Sequence, residues 1–183
     1  MIRSILARLD RSGDVALPSL ARFTFAASLA GYFWASAMTK LGDGLFGFLH
    51  PALGAYAQIF PRQFEAAGYN ISALSSFHWA VATAGMWAEF ILPLLLILGL
   101  ATRLAAFGMI GFTLVQSLTD IYGHGVDASA IGAWFDRVPD SAILDQRLFW
   151  VMLFVTLVLK GAGPISLDAL VARRLAPVIP EQA

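Results

Sequence analysis

The sequence predicts an all-α polytopic membrane protein: a four-transmembrane-helix bundle with short interfacial helices at its ends and in its first outer loop. Three observations carry this. Residues of the set AVILMFWYC make up 58% of the 183-residue chain, charged residues only 13%, and mean hydropathy is +0.72. Four apolar stretches approach the roughly 20 residues that one membrane crossing needs. The 12 basic residues balance 12 acidic ones, which leaves no basic footprint for nucleic acid. So apolar a chain is not intrinsically disordered, and it lacks the charged surface of a soluble globule.

The elements follow in order. In segment 1–18, Ile2, Ile5, Leu6 and Leu9 share one helical face, with Arg3, Arg8 and Arg11 elsewhere. That pattern predicts a short helix lying on the inner leaflet. The membrane domain covers 19–164. Its first span runs about Leu20–Leu41, uncharged from Phe23 to Thr39. Ala35-Ser36-Ala37 has the small-residue form of a signal cleavage site, read here as part of a retained span. The outer loop 42–76 is long and apolar, with Leu45, Phe46, Phe48, Leu49, Leu53, Tyr56, Ile59 and Phe60. A re-entrant or surface-lying helix broken at Pro51 is expected there, and loops this long are usually functional. Asn70-Ile71-Ser72 matches a glycosylation sequon, a motif short enough to arise by chance.

The second span, about Phe77–Leu100, is interrupted only by Glu89, and a tight turn at Gly99–Arg103 leads into the third, about Arg103–Tyr122. A second long outer loop carries Asp127, Asp136 and Asp140, and the fourth span runs about Ala142–Lys160. The last two spans are short unless Arg103, Arg147 and Lys160 snorkel to the interfaces. Gly161-Ala162-Gly163-Pro164 ends the bundle. In segment 165–183, Ser166 can cap a further helix with Asp168 in its first turn. Its stripe of Leu167, Leu170, Val171 and Leu175 beside Arg173 and Arg174 predicts a second inner-surface helix. With the N-terminus inside, eight Lys/Arg fall inside and four outside, so both termini are expected in the cytoplasm.

Polar residues within spans are costly and mark functional positions. Ser28, Tyr32, Ser36, Thr39 and Lys40 follow helical spacing in span one; His78, Gly85 and Glu89 do so in span two, and Thr113, Gln116, Ser117 and Asp120 in span three. A cavity among these three spans, opening outward, is the expectation, with Tyr32, Lys40, His78, Gln116 and Asp120 as candidate ligand contacts. Glu89 is the candidate catalytic residue. An unpaired carboxylate at that depth is neutral, so Glu89 is read either as a proton acceptor or ligand contact, or as a hydrogen-bonded tie between helices. Lys40 is expected to snorkel to phosphates, or else to pair with Asp43 or Asp120 or meet an anionic substrate. Arg103 is read as a lipid-interface anchor. His50, His78 and His124 all fall on the outer side; haem, copper or zinc on them is the weaker reading beside interfacial histidines, since their spacing is no metal motif. The five tryptophans are read as interfacial belt or helix packing. Cysteine is absent, so thiol relay and thiolate metal binding are excluded.

The order of certain motifs resembles the DoxX family of small four-helix membrane proteins over about residues 20–168. These are Leu20-Ala21-Arg22 and Thr39-Lys40-Leu41 at the ends of span one, the block from Glu89 to Arg103, and the closing Gly163-Pro164-Ile165-Ser166-Leu167-Asp168. The resemblance implies a bacterial-type inner membrane and a link to redox chemistry, since relatives include subunits of a thiosulfate:quinone oxidoreductase. Lys40, Glu89 and Arg103 match family positions; the two long outer loops and Pro93 depart from the pattern. The expected function is an accessory or quinone-associated component of a membrane redox system. With no flavin, nicotinamide or iron–sulfur motif, electrons would come from a partner docked on the outer loops. The alternatives are a non-catalytic scaffold in a larger complex or a homo-oligomer, and a small-solute permease, for which the missing internal repeat gives little basis.

Overall fold

The structure, a computed structural model, describes residues 2–175; the tail beyond 175 lies outside the described residues. Nine α-helices are assigned among them: α1 (Ile2–Ser28), α2 (Ala30–Lys40), α3 (Leu53–Ile59), α4 (Pro61–Ala66), α5 (Ser76–Leu98), α6 (Thr102–Leu118), α7 (Ala128–Ile131), α8 (Arg147–Lys160) and α9 (Leu167–Leu175). A 3₁₀ turn covers Ile71–Ala73, and π-helical turns extend α6 outward (Thr119–His124) and lead into α8 (Ala142–Gln146).

Among the described residues, three helices are long and apolar enough to cross a membrane: Ser76–Leu98, Thr102–His124 and Ala142–Lys160. The first apolar stretch stands apart because Leu29, at φ −119°, divides it between α1 and α2. The cause is local. The Ser28 hydroxyl donates back to the Thr24 carbonyl at 2.6 Å, a bond that competes with the backbone ladder and bends helices. The ladder nevertheless crosses the division, from Leu29 N to Phe25 O at 2.9 Å and from Phe33 N to Leu29 O at 3.1 Å. The amphipathic N-terminal stretch is not a separate helix, as expected, but the first part of α1, which carries Pro18 inside it.

The helices pack α6 on α8, α2 on α5, α1 on α8 and α5 on α6. Their core is a column of Phe25, Leu29, Phe33, Leu96, Ala105, Ala106, Met109, Phe154 and Leu157. Phe25 meets Phe154 edge-on at 5.8 Å and Phe33 meets Phe112 at 6.0 Å, geometries aromatic rings prefer.

Of the helix expected to break at Pro51, the part after the proline forms as α3, and the part before it is a run of turns. Gly42 N donates to Gly47 O and Ala52 N to the Lys40 carbonyl, so the chain doubles back and α3 begins only after Pro51-Ala52. Two tryptophans of α5 pin it: Trp79 Nε1 donates to Leu49 O at 2.9 Å and Trp87 Nε1 to Phe48 O at 3.0 Å. Then α3 and α4 pack Ala55, Tyr56 and Phe64 against Ala82 of α5. The first outer segment is therefore folded onto the bundle.

At the other end, Gly99 closes α5 with φ +65°, a left-handed conformation suited to glycine. A Cβ there would stand 2.6 Å from Ser166 and 2.7 Å from the Arg22 guanidinium, so the position excludes other residues twice over. Arg22 donates to the Leu96 and Ile97 carbonyls at the end of α5, and to Ala162 O and Ile165 O. Asp168 accepts from the amides of Ala101 and Thr102 that open α6, at 2.7 and 2.9 Å. These two side chains tie all the inner helix ends together.

Candidate functional site

A cavity of about 490 Å³ lies among α2, α5 and α6, with α3 above it. Span-like elements carry its polar groups. On α2, Tyr32, Ser36 and Lys40 sit four residues apart and so share one face; on α5, Val81, Gly85, Ala88, Glu89 and Leu92 do the same; on α6 and its π turn, Phe112, Gln116, Thr119, Asp120 and His124 face inward. Most of the wall is apolar, and the polar groups are few and grouped.

The central group joins α2 to α5. Lys40 and Glu89 are both buried, at 3% and 4% exposure. Lys40 Nζ lies 2.9 Å from Glu89 Oε2 and donates to Oε1 at 3.1 Å. It donates to Ser36 Oγ at 2.7 Å, and Ser36 Oγ donates to Glu89 Oε1 at 3.0 Å. Lys40 thus neither snorkels nor pairs with Asp43 or Asp120. Its ammonium is held in a largely apolar site beside a counter-charge.

Asp120 has a different partner. Arg147, expected at the interface, is buried at 8% exposure; it donates to Asp120 Oδ2 at 2.5 Å and to Ser117 Oγ at 2.9 Å, and lies 5.9 Å from the Trp150 ring centroid. Both members sit at π-helical turns, a geometry frequent at functional positions. A third contact spans α2 and α6: Gln116 Nε2 and the Tyr32 hydroxyl are 2.6 Å apart, and Gln116 Oε1 is buried without a partner.

Contacts cross the rim of the cavity on the side of α3. Gln58 of α3 donates through Nε2 to Thr39 Oγ1 at 2.8 Å, and its carbonyl lies 3.0 Å from His124 Nε2. Gly123 sits so close under Pro61 that an added Cβ would meet it at 2.9 Å.

The structure brings Tyr32, Lys40, Glu89, Gln116 and Asp120 to one cavity. It leaves His78 out: this residue pairs its Nδ1 with Ser75 in the capping box that starts α5. Its helical spacing with Glu89 is real, but a histidine at the third helical position satisfies the helix end instead. Arg103 is likewise away from the cavity, donating to Val158 O and Leu159 O at the end of α8. His50 is exposed, and no group of three or more His, Cys, Asp or Glu that could hold a metal exists among the described residues. Sequence reasoning missed Gln58, hidden in an apolar loop, and Arg147, whose polar partners on α6 were the available signal.

Beneath the site, the inner clamp has its own electrostatics. Partial burial pulls the Asp168 carboxyl upward, but the amides of Thr102 and Ala101, the Thr102 hydroxyl and the Arg22 charge more than offset this and hold it below its ordinary value.

Fold and site together define an all-helical membrane protein whose apolar helices enclose a cavity with buried ion pairs on its wall. A family model described as DoxX matches residues 21–119, and the chain belongs to the DoxX family. No curated protein and no solved structure matches it.

Proposed function

We propose that this protein is a quinone-binding component of a membrane redox system, seated as a four-span bundle in a bacterial inner membrane with both termini in the cytoplasm. One observation carries the reading: a buried Lys40–Glu89–Ser36 cluster faces the Tyr32–Gln116 pair across a largely apolar cavity of about 490 Å³. A quinone needs an apolar slot with a few hydrogen-bonding groups and a proton path. The Tyr32–Gln116 pair supplies a contact for a ring carbonyl, and Glu89, held by Lys40, is the group positioned to exchange protons. Reduction to quinol takes two electrons and two protons; the electrons come from a partner protein on the outer face. Membership of the DoxX family supports a redox setting.

Native mass spectrometry of gently solubilised protein tests this. A bound quinone is expected, and Gln116→Leu is expected to lower its occupancy at limiting quinone by about tenfold, the loss of one buried hydrogen bond or so. Quinone-free protein that also takes up none on titration would sink the reading. A second reading, a scaffold subunit, draws on the fact that Lys40 and Asp120 already have counter-charges in Glu89 and Arg147. It predicts a co-purifying enzyme whose activity survives removal of both Lys40 and Glu89.

A further inference from the structure

We propose that the cavity is filled sideways, from the bilayer, through a cleft between α5 and α6, by a neutral molecule with a hydrogen-bonding head and an apolar tail. This rests on the quinone reading for its probe, and it adds the route and the class of occupant. The two helices leave their inner turn in contact. At Gly108 an added Cβ would stand 3.1 Å from Leu92. At Gly111, one turn further out, an added Cβ would meet nothing within 4 Å. Ala84, Gly85 and Ala88 of α5 line the same cavity, with Ile59 of α3 standing 3.1 Å from where a Gly85 Cβ would be, and Val115 beyond Gly111 is 60% exposed although it lines the cavity. Both edges of the cleft are small or apolar side chains, a passage suited to a hydrocarbon tail and poor for an ion.

The other directions are obstructed. The outer rim is bridged by Gln58 between Thr39 and His124, with Pro61 pressed on Gly123. The inner end is closed by the Leu92–Gly108 contact and the packed core below it. Charge then selects the occupant. Lys40 is matched by Glu89 and Asp120 by Arg147, so the wall carries no unbalanced charge to attract an anionic headgroup, and a charged head would enter uncompensated. A neutral head that carries a hydroxyl, as a quinol does, can donate to the unpaired Gln116 Oε1, while its tail stays in the cleft.

The test uses a photoreactive quinone with a long isoprenoid tail, carried in nanodiscs, and its tail-less headgroup added from water. Gly111→Phe puts a ring into the open space at the cleft. It is expected to reduce labelling by the tailed probe about tenfold or more while the headgroup labels within about twofold of wild type. Val115→Trp, at an exposed position, is expected to act in the same direction and guards against misfolding of the first variant. Tailed labelling equal to wild type in both variants overturns the lateral route and leaves the quinone reading standing. If neither probe labels the wild-type protein, the quinone reading fails, and the cleft is judged by chemistry that needs no quinone. The chain has no cysteine, so Ala88→Cys provides a single thiol on the cavity wall. A membrane-partitioned maleimide should modify it about tenfold faster than a charged, water-soluble reagent, and Gly111→Phe should abolish that advantage. Faster modification by the water-soluble reagent overturns the proposal.

Discussion

At the scale of single residues, the Lys40–Glu89 pair decides what the cavity is. Two charges in an apolar site hold one another in place, and removing one leaves the other buried without compensation, at a cost of about 3–5 kcal/mol. Lys40→Met and Glu89→Gln are therefore each expected to lower the unfolding midpoint in detergent strongly. The double variant Lys40→Met/Glu89→Gln should recover most of that loss, since no bare charge remains. Quinone occupancy measured on the double variant separates structure from function: a stable protein with unchanged occupancy would assign the pair to packing alone. Much of this was legible in the chain. Tyr32, Ser36 and Lys40 on one face, with Glu89 deep in an apolar helix and Gln116 and Asp120 on another, already marked three walls. Who pairs with whom was not legible, because Glu89 and Lys40 are 49 positions apart and Lys40 looked terminal. Its burial beside Glu89 comes from the packing of α2 on α5, and no local pattern records that.

At the scale of elements, the inner clamp governs whether the helix ends stay together. Gly99→Ala is expected to cost about 1 kcal/mol for the left-handed backbone alone, and more from displacement of Arg22 and Ser166. Asp168→Asn removes a charged cap from the start of α6, worth about 1–2 kcal/mol. The acid dependence has a definite sign. The folded-state value of Asp168 lies below its unfolded value, so its contribution is fully present above the unfolded value, about pH 4, and is lost as pH falls through the folded one. Wild-type protein should thus lose more stability than Asp168→Asn between pH 7 and the acid range, read by unfolding midpoints at each pH. Equal losses would show that the carboxylate does not hold the clamp. The boundaries of α5, α6 and α8 follow the apolar runs closely, because long apolar periodicity and a Gly99 stop are strong signals. The π turns at 119–124 and 142–146 left no such trace. Asp120 lies in the first of them and Arg147 directly follows the second, and the two pair across α6 and α8.

At the scale of the whole molecule, the proposed four crossings draw on which ends meet. Asp14, early in α1, accepts from Lys160 at the end of α8 at 2.6 Å, and Arg22 reaches both the end of α5 and the 162–165 turn. The beginning of α1 and the start of α9 therefore lie at one end of the bundle. From Arg22 to Lys40 the helical rise is about 27 Å at 1.5 Å per residue, close to the roughly 30 Å of a hydrocarbon core, and Trp34 bonds to Phe90 O along the way. A stretch that starts at the inner end and is this long supports the proposed fourth crossing beside α5, α6 and α8, which would put the two ends on one side. Three crossings would put them on opposite sides. The absence of cysteine makes the two cases separable with single thiols at exposed positions. Asp10→Cys and Arg173→Cys should both be protected from an impermeant thiol reagent in sealed right-side-out vesicles, and both should react once the vesicles are opened. Modification of one and protection of the other would reduce the bundle to three spans and remove α2 as a membrane-spanning wall of the cavity.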